Sequence, residues 1–477
     1  MLQISIDSES AVPLVDQIVG GVRTQIDDRL LRPGMRLPPI RSFAEGHAVS
    51  RFTVVEAYDR LVALGYLKSR RGSGFFVAAR QTMPAISTNG GEASRALDKA
   101  GVLLQSLDEE TPGQLKAGVG WLPPEWLDEE GVRRNIRALA RRADTRVTSY
   151  GSPRGYLPLR GQIEVKLAEL GIGAHSNQIL LTNGASQAFD LIARYLLKAG
   201  DCVFVDDPGY WNLFANLRLY GVNLIGVPRT HDGPDPEALE TLLTEHRPKA
   251  FFTHSVLHNP TAGNLAPANA FRVLQLAEKH DFLIVEDDAY GDFHPGPATR
   301  LAQLDQLRRV IYIGSFAKTL SASLRVGFLA CDPDLAANLT EVKLVSCLST
   351  SDFAERLVYS MLTDGHYRKF IDRLHGRLAE ATDRSLRLLE RVGLTIYAEP
   401  KGGMFVWAEV PHIGDSARLA SQAANEGIML APGHLFRPQL QASTWLRFNV
   451  AYSLDPRLER FLGRSVDAAA QGLNAIP

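Results

Sequence analysis

The sequence is short of cysteine, of long apolar runs and of net charge. Its 477 residues include only three cysteines, at widely separated positions, Cys202, Cys331 and Cys347. An odd number at such spacing argues against a disulfide framework or a CxxC metal site and favours reduced thiols in the core. No apolar run is long enough to span a membrane, and the first residues lack the basic and apolar segments of a secretion signal. We therefore expect a cytoplasmic protein without a membrane partner.

Charge is unevenly distributed along this nearly neutral chain. The formal net charge is −1, yet residues 32–80 hold nine Lys and Arg side chains against three acidic ones. A local excess of positive charge favours contact with phosphate groups. Such runs are also common on solvated surfaces, so the charge alone decides little. The composition is otherwise that of a globular protein, and the length predicts two or more domains.

The first eighty residues predict a winged helix-turn-helix. The predicted elements are helices over 14–31, 40–48 and 51–64 and strands over 66–69 and 75–78. Ser50 is a predicted N-cap of the third helix. The inner face of that helix is predicted to comprise Val54, Val55, Tyr58 and Leu61. Three helices followed by a basic hairpin are typical of a DNA-binding module.

The side chains predicted to contact DNA lie at the start of the third helix and in the hairpin turn. They are Arg41, Ser50, Arg51, Thr53, Arg70, Arg71 and Gly72. A recognition helix needs polar side chains at its exposed N-terminal end. Arg51 is the predicted base reader, because arginine to guanine is the commonest specific contact. On charge and spacing alone, a three-helix interaction module with solvated arginines remains an alternative.

Residues 13–78 resemble the winged helix of the GntR family nearly end to end. The resemblance rests on three motifs, which read LRPGxRLP, SRxTV and GYLxSRxGSGxFV in this chain. It implies a DNA-binding domain over residues 1–80 and double-stranded operator DNA as the partner.

The rest of the chain predicts a linker and an α/β domain. Residues 81–115 are rich in Ser, Thr, Asn, Gly and charge, as flexible linkers are. From about residue 116, predicted strands alternate with helices, which indicates a mostly parallel sheet covered on both faces. The strands are predicted over 178–182, 202–206, 223–227, 250–254, 282–286, 310–314 and 325–330. Shorter strands over 395–398, 403–409 and 444–450 predict a smaller α+β subdomain, about 353–470, within a domain over 116–470.

Lys318 is the candidate centre of this second part. It follows a predicted strand in the segment GSFAKT, where a lysine over a pocket suits imine chemistry. Ser315 and Lys318 also match the Ser-x-x-Lys pattern of penicillin-binding enzymes, but the SDN and KTG motifs that accompany it are absent from the sequence. A surface lysine without a role in binding is the alternative, and the local sequence alone favours it.

Further residues match the needs of pyridoxal phosphate (PLP), which are a lysine, an acid near the pyridine nitrogen, a phosphate cradle and an aromatic cover. Asp287 is the candidate acid, and Asn259 and Tyr290 are candidates for the ring oxygen. Paired acids on a metal and a simple Asn-Pro turn are the alternatives there. His254 and His258 follow a strand, which argues against a zinc pair, so no metal is predicted.

The phosphate cradle is predicted at the start of a helix. Gly184, Ala185 and Ser186 follow a strand there, and backbone N–H groups at a helix N-terminus bind anions. Ser315 and Arg325 could add a hydroxyl and a guanidinium. Tyr210, in the segment DPGY, could stack on the cofactor ring.

Taken together, these motifs resemble the fold type I aminotransferases over roughly residues 116–465. The resemblance implies that Lys318 carries PLP as a Schiff base and that Asp287 pairs with the pyridinium. It also implies that Tyr150 reaches the phosphate of a partner subunit and that Arg447 holds a substrate carboxylate. A planar guanidinium suits two-point binding of a carboxylate.

Both halves in this order resemble the MocR subfamily of GntR regulators. The resemblance implies a homodimer in which a small amine or amino acid effector forms an external aldimine at Lys318 and changes DNA binding. The segments Trp121–Pro124 and His434–Arg437 are expected to line the effector pocket. An aminotransferase with an appended DNA-binding domain is the rival hypothesis, and a DNA-binding protein that uses PLP only for stability is a weaker one.

Overall fold

A computed structural model of the chain describes residues 4, 6–7, 10, 12–28, 30–70, 72–78, 113–142 and 148–471. The chain divides into two compact units, Met1–Asn89 and Gly90–Pro477. Most of the predicted linker, 81–115, lies outside the described residues, and so does Arg71. None of the helices described in these ranges is long and apolar enough to cross a membrane.

The first unit is the predicted winged helix. Its elements are α1 (Leu14–Asp27), α2 (Ile40–Gly46), α3 (Arg51–Ala63), β1 (Leu67–Arg70) and β2 (Gly74–Val77). The two strands pair antiparallel, and Arg36 adds a bridge opposite Phe76. Tyr58 of α3 is fully buried, and its hydroxyl donates to the Pro38 carbonyl at 3.1 Å. Its ring meets those of Phe43 and Phe75 edge-on, which ties the helices to the hairpin.

The sequence prediction was wrong about two apolar side chains of this unit. α1 ends at Asp27, so Leu30 lies beyond the helix and is 68% exposed. On α3, Val55 is 37% exposed, and Ala57 takes the buried place instead. Successive residues are rotated by about 100° about the helix axis. The buried face of α3 that includes Ala57 and Tyr58 therefore leaves Val55 at its edge.

An eight-stranded mixed sheet organises the second unit. Its strands are β3 (Ile179–Thr182), β4 (Cys202–Asp207), β5 (Asn223–Thr230), β6 (Gly233–Pro234), β7 (Pro248–Thr253), β8 (Leu283–Asp287), β9 (Val310–Ser315) and β10 (Gly327–Ala330). They lie in the order β3-β10-β9-β8-β7-β4-β5-β6. The pairs among β5, β4, β7, β8 and β9 are parallel, whereas β10 is antiparallel to both neighbours. The mostly parallel sheet is thus confirmed.

Helices pack on both faces of this sheet. They are α4 (Glu129–Ala140), α5 (Leu157–Glu169), α6 (Gly184–Leu196), α7 (Trp211–Arg218), α8 (Pro236–Glu245), α9 (Pro267–His280), α10 (Leu301–Asp305), α11 (Pro333–Cys347) and α12 (Asp352–Thr363). Alternate strand residues enter different cores, as Phe204 and Val205 of β4 do. Because parallel strands end at the same edge, the loops after β4, β7, β8 and β9 meet there, where α/β sheets bind ligands.

A smaller antiparallel sheet carries its own core. Its strands, in the order β11-β12-β14-β13, are β11 (Thr395–Ile396), β12 (Phe405–Glu409), β13 (Ala431–Pro432) and β14 (Trp445–Asn449). The helices around it are α13 (His366–Arg391), α14 (Ser416–Asn425) and α15 (Pro456–Ala470). α12, at the start of the predicted 353–470 subdomain, packs Leu357 and Val358 into the core of the large sheet, whereas Leu115 joins the core of the small sheet. The domain bounds themselves stay predictions.

A buried ion pair beside the sheet edge yields a first testable prediction. Arg300 Nε donates to Asp288 Oδ2 at 2.7 Å, and the Tyr312 hydroxyl donates to the same oxygen at 2.5 Å. Arg300→Met is expected to lower the free energy of unfolding by about 3–5 kcal/mol, because the carboxylate stays buried without its cation. Thermal unfolding followed by circular dichroism measures the loss. Arg272→Met, which removes an exposed pair with Glu240, should cost less than about 1 kcal/mol. Equal losses for the two variants would contradict the prediction.

Candidate functional site

The start of α3 presents the side chains predicted to contact DNA. Ser50 is the N-cap, as predicted, because its Oγ accepts from the Thr53 N–H at 3.0 Å. The two hydroxyl oxygens lie 2.7 Å apart. Arg51 and Arg41 are both exposed. Hydroxyl and guanidinium groups gathered at the N-terminus of a helix can bind phosphate and base edges.

Glu45 joins the two arginines of this surface. Its Oε1 lies 2.9 Å from Arg41 Nε and 3.9 Å from Arg51 Nη2. All three side chains are more than half exposed, so these ion pairs are weak and exchange readily with water or with a phosphate group. Arg41 and Arg51 are therefore close enough to contact one stretch of DNA together.

The hairpin turn carries the remaining predicted contacts. Arg70 ends β1 and is exposed, with its guanidinium 4.9 Å from the centre of the Phe76 ring. Gly72 has a φ of +74°, which any other residue would adopt only with strain. Arg71 lies outside the described residues, so its predicted role stays a prediction.

Phe52 is a residue of this surface that sequence reasoning missed. Its side chain is 75% exposed and follows Arg51 directly. An exposed ring on a recognition helix suits contact with the methyl group of thymine. The helical period gives the signal, because Phe52 does not fall on the core stripe formed by Val54, Tyr58 and Leu61.

The second candidate site lies in the other unit, where five predicted residues line one cavity of about 110 Å³. They are Tyr210, Asn259, Tyr290, Lys318 and Arg447. The first three follow β4, β7 and β8, whereas Arg447 comes from β14 of the small sheet. The sequence predicted each residue separately, and the fold brings these five together.

Lys318 is enclosed rather than on the surface. Its Nζ donates to the Gly120 carbonyl oxygen at 2.7 Å and lies 5.5 Å from the centre of the Tyr290 ring. Burial, followed by the nearby positive charge of Arg447, lowers the pKa of Lys318 to about 8. A lysine with so low a pKa is partly neutral near pH 7, and the neutral amine is the form that attacks an aldehyde.

Arg447 is held in one orientation by hydrogen bonds and by rings. Its Nη1 donates to Asn259 Oδ1 at 2.7 Å, and its Nη2 donates to the Gly118 carbonyl at 2.6 Å. The guanidinium lies 4.4 Å from the ring centre of Phe405 and 4.9 Å from that of Phe436. Burial lowers the pKa of Arg447 to about 10, so it remains cationic at neutral pH. It is the cation that a substrate carboxylate would meet in this cavity.

The carboxylate of Asp287 is contacted by a histidine side chain and by a backbone N–H. Its Oδ2 lies 2.9 Å from His254 Nε2, and its Oδ1 accepts from the Ala289 N–H at 3.0 Å. The backbone N–H of His254 donates in turn to Asp206, whose Oδ2 is 2.9 Å from Arg229 Nη1. This buried chain of partners fixes the carboxylate that is predicted to face the pyridine nitrogen.

Asp206, His254 and His258 place their ligand atoms within 4.8 Å of one another, a spacing that a metal could use. Arg229 already neutralises Asp206, and Thr253 donates to its other oxygen at 3.0 Å. Burial and Arg229 hold the pKa of His258 well below its ordinary value, so this ring is neutral. Both oxygens of Asp206 are thus already engaged by Arg229 and Thr253. Sequence reasoning weighed the two histidines but missed Asp206 and Arg229.

The predicted phosphate cradle lies at the start of α6. The side chain of its N-cap, Asn183, makes no capping hydrogen bond, so the first N–H groups of the helix are available. Gly184 has a φ of +73°, and a Cβ there would lie 2.5 Å from Arg325 Nη2. Ser186 and Arg325 are exposed, Ala185 is half-buried, and Ser315 ends the neighbouring strand β9. A glycine and a guanidinium this close together form a site that suits a phosphate group.

The residues present fit PLP. Asn259 Nδ2 is buried and has no hydrogen-bond partner among the described residues. It is a donor aimed into the cavity, as an anionic ring oxygen requires. The amine of Lys318 and the carboxylate of Asp287 supply the other two groups that the ring needs. PLP, when bound, supplies an aldehyde for amine exchange and a ring that withdraws electrons.

The segments expected to line the effector pocket do so only in part. Trp121 and Phe436 line the cavity, and so does Trp211, which sequence reasoning missed. Arg437 does not line it, because its Nε lies 2.5 Å from Asp207 Oδ1 in an ion pair. Trp211 directly follows the predicted Tyr210, so its place in the chain was the available signal.

The lowered pKa of Lys318 yields a second prediction. The rate at which the cofactor-free protein takes up PLP should rise about tenfold per pH unit below pH 8 and level off above it, since only the neutral amine reacts. Stopped-flow absorbance at constant ionic strength measures this rate. Arg447→Met removes a positive charge that lowers the pKa, so its profile should shift to higher pH. A rate independent of pH between 6 and 9 would contradict the prediction.

Comparisons with known proteins agree with this geometry. Residues 123–464 match the family described as aminotransferase class I and II, and residues 14–77 match the bacterial regulatory proteins of the gntR family. The 2-aminoadipate transaminase of Thermus thermophilus is 33% identical over 72% of this chain and 86% of its own length. The probable rhizopine catabolism regulatory protein MocR of Rhizobium meliloti is 29% identical over 90% of this chain and 88% of its own.

A solved structure supports the fold and the cofactor. LysN, the alpha-aminoadipate aminotransferase of Thermus thermophilus, was crystallised with N-(5'-phosphopyridoxyl)-L-leucine. It is 28% identical to this chain, covers 80% of it and 98% of its own length, and superposes with a TM-score of 0.72. PLP is accordingly the cofactor of the second unit. The chain belongs to the class I and II aminotransferase family and carries a GntR-family DNA-binding domain ahead of it, as the MocR-type regulators do.

Proposed function

We propose that the chain is a transcriptional regulator that senses an amine or amino acid through PLP on Lys318. The effector takes the place of the lysine by forming an external aldimine, which frees Lys318 and engages Arg447. The new contacts bias the second unit toward a different conformation, and the DNA domain then binds its operator differently. The observation that supports this most is the buried amine of Lys318 in one cavity with Arg447, in a chain that begins with a winged helix.

A fluorescence titration of the PLP-loaded protein onto DNA from beside its own gene tests the proposal. The salt concentration is fixed and scrambled DNA serves as competitor, because phosphate contacts make affinity depend steeply on salt. We expect tight binding that survives the competitor and an effector that changes the dissociation constant by about 5- to 150-fold. By linkage, the DNA must change effector affinity by the same factor. DNA affinity that no amine or amino acid alters would overturn the sensing role.

An aminotransferase that carries a DNA-binding domain is the second candidate. The identity to a transaminase over 72% of the chain and the shared cavity of Lys318, Asn259, Tyr290 and Arg447 favour it. Sustained conversion of an amino acid with a 2-oxo acid acceptor, at about 1 per second or faster, would support this reading. A single half-reaction that stops after one equivalent would support the sensor.

We further propose that the working form is a homodimer in which Tyr150 completes the phosphate site of the partner. Tyr150 is 85% exposed, and Val345 on α11 is 90% exposed. The proposal rests on the resemblance of Tyr150 to a residue that reaches the partner's phosphate, and both side chains are accessible to a partner. Light scattering of the PLP-loaded protein checks the mass, and Tyr150→Ala should weaken PLP binding without changing the DNA surface.

A further inference from the structure

Apart from the five predicted residues, the described residues that line the cavity are glycines or carry apolar side chains. The larger of these side chains are Trp121, Trp211, Met429, Leu430, Leu435 and Phe436. Of the described residues around the cavity, only Lys318 and Arg447 are charged. Arg447 is predicted to bind the carboxylate next to the effector amine, and Lys318 to release PLP to that amine. The described wall therefore leaves no charged partner for a second ionic group on the effector.

The basic residue that follows this wall in sequence is already paired with a carboxylate. Arg437 follows Phe436 in sequence, but its Nε lies 2.5 Å from Asp207 Oδ1 and its Nη2 donates to Asp207 Oδ2 at 3.1 Å. A two-point ion pair of this kind fixes the guanidinium and cancels its charge. If Arg437 turned toward a second carboxylate on the effector, the largely buried carboxylate of Asp207 would lose its cation.

The apolar wall is closely packed against neighbouring rings. The Phe436 ring packs edge-on against Trp407, whose ring stacks on that of Trp445. The Gly209 N–H donates to the Phe436 carbonyl at 2.8 Å, which ties this wall to the loop that precedes Trp211 and α7. A packed aromatic wall rearranges little, so it selects ligands by shape and polarity.

We infer that the effector is an α-amino acid with one carboxylate and an apolar, preferentially aromatic or branched, side chain. This rests on the proposed sensing function and adds the chemical class of the ligand. The carboxylate pairs with Arg447, and the side chain packs against Phe436, Trp211 and Trp121. A second carboxylate or an ammonium group would be desolvated there without a partner, which is costly.

Titration of the PLP-loaded full chain, followed by the visible absorption of the cofactor, tests the inference. The probes are L-phenylalanine, L-leucine, L-aspartate, L-glutamate, L-lysine and 2-phenylethylamine. We expect L-phenylalanine or L-leucine to act at least about 100-fold more tightly than the three amino acids with a second charge. We expect 2-phenylethylamine to bind about 10- to 100-fold more weakly than L-phenylalanine, because it lacks the carboxylate for Arg447.

The outcomes separate this inference from the function on which it rests. Preference for aspartate, glutamate or lysine would overturn the inference and leave amine sensing intact. Equal affinity for L-phenylalanine and 2-phenylethylamine would overturn the role of the carboxylate. No change in absorption with any probe would overturn both the inference and the proposed sensor.

A charge placed in the wall provides the matched test. Trp211 is half-buried and begins α7, so a longer polar side chain there can reach both the cavity and water. Trp211→Arg should reduce the preference for L-phenylalanine over L-glutamate by about 10- to 100-fold, since it supplies a partner for the second carboxylate. Trp211→Phe keeps the wall apolar and should retain the preference. An unchanged ratio in a Trp211→Arg protein with normal cofactor absorption would show that the effector side chain does not meet this wall.

Discussion

Lys318→Ala is expected to abolish both the covalent attachment of PLP and the response of DNA binding to effector. The variant lacks the amine that forms the imine, so added PLP is held only by non-covalent contacts and washes out on dialysis. The affinity for DNA without effector should stay within about threefold of the wild type, because the winged helix forms a separate compact unit. Absorbance after dialysis and the fluorescence titration measure the two effects.

Lys343 provides a matched control for this prediction. Its side chain is fully buried, and burial lowers the pKa of Lys343 to about 8, the same value as for the enclosed Lys318. Its Nζ donates to the Leu181 carbonyl at 2.8 Å and to Thr350 Oγ1 at 3.0 Å, and it does not line the cavity. Lys343→Met should therefore keep PLP and the effector response, although it loses stability because Glu355 remains buried nearby. Loss of PLP from folded Lys343→Met, or its retention by Lys318→Ala, would contradict the assignment.

The position of Lys318 could be predicted from the sequence, but the surroundings that set its pKa could not. Lys318 follows a strand within a motif of fixed spacing, so its candidacy was evident from local residues. Its burial, the Gly120 carbonyl that it contacts and the charge of Arg447 beside it come from segments more than 100 residues away. Local patterns predict strands, caps and motifs, whereas the pKa of a side chain depends on what the fold packs around it.

Ion pairs between residues that are separated in sequence account for several contacts around the cavity that sequence reasoning missed. Arg437 was expected to line the pocket, and its pairing with Asp207, 230 residues earlier, removes it. In the same way, the pair of Asp206 with Arg229 underlies the histidine that orients Asp287. Nothing in the local sequence marks either aspartate as a partner of one arginine rather than another.

In the winged helix the error was of a different kind. The predicted N-cap, Ser50, is confirmed because capping depends on residues within one turn. The inner face of α3 was predicted to include Val55, whereas the structure buries Ala57. Burial follows the angular position on the helix instead, so the smaller side chain is the buried one.

Arg51→Ala is expected to weaken operator binding by about 1–3 kcal/mol, or about 5- to 150-fold, and to relax the preference at one base position. Arg51 is exposed at the first turn of α3, beside the N-cap and Phe52, where side chains reach base edges. Arg70→Ala is the contrasting variant. It lies in the wing, where a phosphate contact is expected, so it should weaken operator and scrambled DNA about equally. A titration over several salt concentrations should show the salt slope of Arg70→Ala reduced by about 1.

Glu45 places a negative charge between Arg41 and Arg51, so its removal separates the effect of net charge on DNA affinity from base reading by Arg51. Glu45→Gln removes that charge and should strengthen binding to operator and scrambled DNA alike, since the gain is electrostatic and carries no base information. Arg51→Ala in the Glu45→Gln background should still lose selectivity for the operator. Should Arg51→Ala instead reduce operator and scrambled binding by the same factor, Arg51 would be a phosphate contact, and Phe52 would become the first candidate for base reading.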